Sequence, residues 1–284
     1  PVTASQHGAR ITLEAGYAAE MARHQMLERY GQSAYVAGYS VYTTLASDLQ
    51  EVARKAVVDG LKTYDGRHGY RGPERRLLDE NPPPADDELP GTGALPLDEW
   101  VAILDETPVL TDLAPAIITA MDEDGVDLIF AGGERGRLPF DQGIAEARPY
   151  IDENRRDTTP GQPADLFRVG DLIRVREEPV TGEPGAITPW HLDQVPAAQA
   201  ALVSLDPDDG AIVSLVGGSD FALSKFNRAT QAQRQPGSNM KPFLYSAAID
   251  AGFSAATIIN DAPIVMEDSS LEGIWRPEND SGRF

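Results

Sequence analysis

Cysteine is absent from all 284 residues. That excludes disulfides, thiolate metal sites and a cysteine nucleophile, and it fits an oxidising compartment. Lysine is scarce: of 24 Lys and Arg residues, only Lys55, Lys62, Lys225 and Lys241 are lysine. Histidine is scarce too. His7, His24, His68 and His191 show no ligand spacing, so they read as surface or structural residues, and neither a metal nor a cofactor is expected. Positive charge is short overall, with a formal net charge of −21. Such a surface repels a nucleic-acid backbone and disfavours docking on an anionic leaflet; its plain reading is solubility. No apolar run reaches the roughly 18 residues of a membrane span. Pro1 opens the chain without a signal peptide, so any membrane anchor is expected outside this chain.

What is present is enough apolar residue, 41%, for packed cores, and length for two or three domains. Residues 13–30 read as a helix ending at Gly31. Gly38–Leu45 alternates like a strand. A second helix starts at Ser47, with Gln50 completing a capping box. Its stripe of Leu49, Val52, Ala53, Ala56, Val57 and Leu61 predicts a core face. The run YDGRHGYRGPE, Tyr64–Glu74, has no period and reads as a loop. Asn81–Pro96 reads as a linker.

From about 100 to 190 the composition changes. Two apolar runs meet at Asp124-Gly125, a hairpin signal. Phe167–Glu178 alternates as a strand, so a small, mainly β barrel or sandwich is expected. Between Asp105 and Trp190 eighteen residues are acidic and eight basic, which argues against an oligonucleotide groove. A second hairpin is predicted over 201–205 and 211–218, around Asp206-Pro-Asp-Asp-Gly210. A polar loop follows from Lys225 to Gly237. A helix is then expected from about Ser238 to Ala251, with Gly252 at its C′ position.

Ser238 and Lys241 stand three apart at the mouth of that helix, pinned there by Pro236-Gly237 and by Pro242, which is tolerated only in a first turn. A serine hydroxyl is a weak nucleophile and needs a neighbouring base. Lysine serves as that base only when neutral, against a reference pKa of about 10.4. The positive end of a helix dipole disfavours an ammonium, and the same end offers N–H groups to a developing oxyanion. Arginine stays protonated and cannot replace it. The spacing alone also fits a capped surface helix.

The surrounding residues go further. ALVSLDPDDGAIVSLVGG, followed by SKFNRATQAQRQPGSNMKPFLYSAAIDAG, closely resembles the transpeptidase domain of class A penicillin-binding proteins. GYSVYTTL with YDGRHGYRGPE resembles the stretch joining the glycosyltransferase and transpeptidase halves in members of the 1A type, and WRPEND (275–280) matches a loop of the family. The resemblance implies an α+β penicillin-binding, serine-transpeptidase fold, present in part. It also implies an inserted, mainly β domain like an oligonucleotide-binding barrel. The expected division is 1–98 for the linker and first transpeptidase part, 99–192 for the insert, and 193–284 for the transpeptidase part with the S-x-x-K helix. It implies Ser238 as acylated nucleophile and Lys241 as general base, with Lys225, Asn227, Arg228 and Asn239 in supporting or substrate-binding places. The implied substrates are peptidoglycan stem peptides and β-lactams, on the periplasmic face of an inner membrane. A glycosyltransferase half is implied before Pro1.

The family's S-x-N and K-T-G motifs are absent from these residues; the one Lys-Thr, Lys62-Thr63, is followed by Tyr64. A scaffold reading stands beside the enzyme, in which the acidic block binds a regulatory partner such as an outer-membrane lipoprotein activator or a cell-wall synthesis complex. A β-lactamase shares S-x-x-K, but the long region before the motif speaks against one.

Overall fold

The computed structural model describes residues 12–80, 97–177, 190–262, 265–267, 274–275 and 282. The predicted linker at 81–96 and most of the WRPEND loop lie outside the described residues. The chain divides into two compact units, Pro1–Ala232 and Gln233–Phe284.

The first unit opens with α1, Gly16–Tyr30. It ends where expected: Gly31 takes φ 58° and its N–H bonds the Leu27 carbonyl. Gly38–Leu45 is not a strand. The segment meets a strand edge by Thr44 Oγ1, which donates to the Ile212 carbonyl at 2.7 Å, and the Ala46 N–H just beyond it donates to the Val213 carbonyl at 3.0 Å. Helix α2 spans Ser47–His68. The capping box is not formed. Gln50 instead holds a strand, accepting from the Leu215 N–H (2.8 Å) and donating to the Leu215 carbonyl (3.0 Å). Ala53, Val57 and Leu61 are buried against Val216 as expected, whereas Leu49, Val52 and Ala56 are exposed. The stripe was read too wide. Five of the residues read as loop, Tyr64–His68, are helical. Glycine costs a helix about 1 kcal/mol, and here the bonds Asp65 accepts from Arg71 and from the distant Ala197 outweigh Gly66. The helix stops at Gly69, with φ 102°.

The middle of the unit is a six-stranded antiparallel sheet. Its elements are β1 (Arg75–Arg76), then α3 (Leu77–Glu80) and α4 (Leu97–Glu106), β2 (Ala114–Asp122), β3 (Gly125–Ile129) and β4 (Arg135–Pro139). The small β5–β6 hairpin (Tyr150–Asp152, Arg155–Arg156) precedes β7 (Asp171–Glu177) and β8 (Trp190–Asp193). The order is β1-β7-β2-β3-β4, with β8 also on β7. The β2–β3 turn is Glu123-Asp124, and Gly125 already pairs with Asp122. A Cβ there would lie 2.4 Å from the Leu138 carbonyl, so the glycine is needed for β4 to approach.

Ala116-Ile117-Ile118 is apolar without alternation because both faces of β2 are covered. Ala116 and Ile118 join Leu128, Leu138, Phe167, Ile173 and Val175 inside the sheet's curl. Ile117 faces outward with Ile129 and Leu172, under Trp100 and Leu104 of α4. The sheet closes on itself at Trp190, which stacks on Phe130 at 4.4 Å. Gly136 of β4 makes room, since a Cβ there would meet Trp190 Nε1 at 2.8 Å. The last strands of the unit are the hairpin β9 (Leu202–Leu205) and β10 (Ile212–Val216). Its turn is as predicted, with Asp206 N–H bonded to the Ala211 carbonyl at 2.8 Å and Gly210 at φ 76°.

The second unit holds a 3-10 turn, Gly237–Met240, that leads directly into α5, Lys241–Asp250. The short strands β11 (Met266–Glu267) and β12 (Ile274–Trp275) pair with each other.

Candidate active site

The turn opens on Gly237, whose left-handed φ of 53° suits glycine, and the first turn after it is 3-10 rather than α. In a 3-10 turn residues three apart eclipse one another. Ser238 and Lys241 therefore share a face, and the Ser238 carbonyl accepts the Lys241 N–H. Pro242 occupies the first turn of α5, as its missing N–H requires. The far end closes as expected on Gly252, at φ 94°. Its N–H bonds the Ile249 carbonyl and the Phe253 N–H bonds the Ala248 carbonyl, both at 3.0 Å, a Schellman motif. Ser238, Asn239 and Lys241 are all exposed, and the Ser238 and Lys241 side chains are not bonded to each other among the described residues.

Lys225, Asn227 and Arg228 belong to the first unit. Asn227 is buried and builds its own loop. Its Oδ1 accepts the Ala229 N–H at 3.1 Å, its N–H donates to Gln231 Oε1 at 2.7 Å, and its carbonyl accepts the Gln231 N–H at 2.8 Å. Gly217 lets it in, because a Cβ there would lie 2.5 Å from Asn227 Oδ1. The Arg228 N–H bonds the Gly217 carbonyl at 3.0 Å, and its guanidinium lies 5.6 Å from the Phe226 ring centre. Lys225 and Asn227 line a cavity of about 320 Å³ with Tyr17, Glu20, His24 and Gln231. The Glu20 carboxyl sits below its ordinary range, chiefly through its hydrogen bond with Arg23 and in smaller part through Lys225.

Tyr17 is the residue that sequence reading missed. Its hydroxyl donates to the Ser224 carbonyl at 2.8 Å and lies 3.1 Å from the Asp220 carbonyl, tying α1 to the loop. Burial pushes this hydroxyl above the ordinary tyrosine range, with Arg228 opposing. Nothing in the weak period of α1 marks it, since its partners stand more than 200 positions away.

Two family descriptions match the chain. The penicillin-binding protein OB-like domain covers residues 70–198, and the penicillin binding protein transpeptidase domain covers residues 200–283. Penicillin-binding protein 1A of Pseudomonas aeruginosa is 46% identical over 284 residues, all of this chain and 32% of the relative. The protein of the same name from Vibrio cholerae is 41% identical over 280 residues, 98% of this chain and 32% of its own. That from Escherichia coli is 38% identical over 283 residues, 100% of this chain and 31% of its own. The crystal structure of penicillin-binding protein 1A from Haemophilus influenzae is similar with a TM-score of 0.72 at 33% identity, over 97% of this chain and 36% of that one. The chain spans about a third of the length of the curated relatives it matches. The curled sheet corresponds to the OB-like domain, and the hairpin with α5 to the transpeptidase-domain fold. On the matched domains and on these relatives along its whole length, the chain belongs to the penicillin-binding proteins.

Proposed function

We propose that this chain carries the acylation centre of a peptidoglycan DD-transpeptidase, with Ser238 as nucleophile and Lys241 as its base. The observation that carries this reading is the three-residue spacing of Ser238 and Lys241 across the 3-10 turn that leads into α5, inside the residues matched by the transpeptidase domain. Ser238 Oγ attacks the carbonyl of the D-Ala-D-Ala bond, and the Lys241 amine takes its proton. The C–N bond breaks, D-alanine leaves with a proton, and the stem peptide stays as an ester on Ser238. An amine of a neighbouring strand then attacks that ester and restores the serine. A β-lactam ring opened by the same attack leaves a stable ester. N–H groups of the helix mouth are the oxyanion donors of this reading. Asn239 is assigned to substrate contact, and Lys225, Asn227 and Arg228 to support of the loop that precedes the helix.

The same reading places the protein on the periplasmic face of an inner membrane, with a glycosyltransferase in the same polypeptide and the boundaries 1–98, 99–192 and 193–284 between its parts. Among the described residues no helix is long and apolar enough to cross a membrane. A second reading is favoured by the excess of acid between Asp105 and Trp190: the OB-like domain docks a regulatory partner, a lipoprotein activator or a synthesis complex. Fluorescent penicillin tests the first reading in the protein that carries all three motifs. Ser238→Ala should abolish covalent labelling at an unchanged melting temperature; persistent labelling would remove Ser238 from the mechanism.

A further inference from the structure

The curled sheet is joined to α2 and the β9–β10 hairpin by two chain crossings, Gly69–Gly72 on the way in and Asp193–Ala197 on the way out. Two crossings of this kind ordinarily act as a hinge. Here they are bonded to one another and to α2. Gln194 spans the crossings, with Nε2 donating to the Gly69 carbonyl at 2.9 Å and Oε1 accepting the Arg71 N–H at 2.9 Å. Arg71 reaches both sides, with Nη1 on Asp65 Oδ1 at 2.7 Å and Nη2 on the Val195 carbonyl at 2.7 Å. Asp65 Oδ1 also accepts the Ala197 N–H at 3.1 Å. Asp65 belongs to α2 and is only 4% exposed, so its carboxylate, rather than the more exposed Arg71, is the buried member of the pair. Lys62, one turn earlier, pairs with Asp193 at 3.5 Å.

On its other side the incoming crossing is fastened to the sheet domain. The Tyr70 N–H donates to the Arg148 carbonyl, its carbonyl accepts the Tyr150 N–H, both at 2.8 Å, and its ring packs edge-on to Phe167. Gly69 permits this approach, because a Cβ there would lie 2.7 Å from the Arg148 carbonyl. The opposite end of α2 is equally committed, through the two bonds of Gln50 to Leu215 in β10. With 22 residues, α2 is a rod about 33 Å long, tied to the sheet at one end and to the hairpin at the other.

We propose that Gln194, Arg71 and Asp65 form a latch that removes the hinge, so that the curled sheet, α2 and the β9–β10 hairpin turn as one lever. A partner or a load acting on the sheet is then transmitted to β10 instead of being absorbed at the crossings. These three are positioning residues and touch no substrate in this proposal.

The absence of native cysteine makes the test direct. Glu153→Cys, in the β5–β6 turn, and Asp208→Cys, in the β9–β10 turn, take spin labels on exposed positions of the 284-residue chain. The distance between them is read by pulsed electron resonance, with the melting temperature measured beside it. The latch predicts one narrow distribution in the doubly labelled parent. It predicts a broadened or split one in Gln194→Ala at retained secondary structure, and an intermediate one in Gln194→Glu, which keeps the acceptor for Arg71 and loses the donor to Gly69. Arg137→Ala, which breaks ion pairs on the far strands β2–β4, should leave the distribution narrow. A broad distribution in the parent overturns the proposal. So does a narrow one in folded Gln194→Ala or, should that variant not fold, in folded Gln194→Glu.

Discussion

The curled sheet and helix α5 are both rich in apolar side chains, and they treat them in opposite ways. In the sheet Ile117, Ile118, Leu128, Leu138, Leu172 and Ile173 are at most 1% exposed. In α5 Phe243, Leu244, Tyr245 and Ile249 are 60–72% exposed. The sheet alternates its residues between two covered layers, so each finds partners within the same unit. The apolar residues of α5 point all round, a pattern proper to a helix that is surrounded. The contrast separates two tasks. The sheet closes its own core, whereas the apolar residues of α5 find no cover among the described residues, and the helix mouth sets Ser238 three residues before Lys241.

The largest expected effect tests that separation on the α5 side. Lys241→Arg keeps the charge and removes any neutral base. Penicillin acylation, in the protein carrying all three motifs, should fall by about 10²–10⁴-fold, with the melting temperature unmoved. Near-parental labelling would reduce Lys241 to a source of charge. On the sheet side, Ile117→Ala should cost about 2–5 kcal/mol in denaturant unfolding, the range for a large-to-small change in a core. Ile249→Ala, the same chemistry on an exposed helix, should stay within about 0.5 kcal/mol. Equal costs at the two sites would break the contrast.

A smaller effect is expected at the helix-to-hairpin joint. Gln50→Ala leaves the Leu215 N–H and carbonyl without their partner and should cost about 1–3 kcal/mol, read as a lower midpoint in urea. The smallest is a pH dependence within the sheet. Burial raises the Asp171 carboxyl above its ordinary value, against the Arg168 N–H and the Arg76 charge. The folded state therefore holds this proton more tightly than the unfolded one. Its contribution is fully present below the unfolded value and is lost as pH rises through the folded one. Asp122 runs the other way. Its hydrogen bond with Arg137 lowers it, so its contribution is present above the unfolded value and lost as pH falls. Melting temperatures of Asp171→Asn against the parent across the acid range should show the variant gaining as pH rises. A constant offset would sink this assignment.

Several elements were legible because their causes are local. Asp206-Pro-Asp-Asp-Gly210 carries its turn in its own side chains and one left-handed glycine, and Gly31 and Gly252 end their helices for the same reason. The three-residue spacing of Ser238 and Lys241, bracketed by Pro236-Gly237 and Pro242, likewise depends on nothing far away, and the run from Ala201 to Gly252 resembles its family over its whole length. What only the tertiary structure decided depends on partners far along the chain. Gln50 looked like half of a capping box and became the anchor of β10, because Leu215, 165 positions on, offers two backbone groups. Gly38–Leu45 has strand alternation, yet it lies against β10 by single bonds and forms no ladder. Gly66 reads as a helix breaker, but Asp65 has Arg71 and Ala197 to hold, and those bonds carry α2 to His68. Residue types and short spacings specify turns, caps and the reactive pair; which apolar or polar side chain becomes core, anchor or latch is settled when distant segments bring, or fail to bring, something to bond or bury.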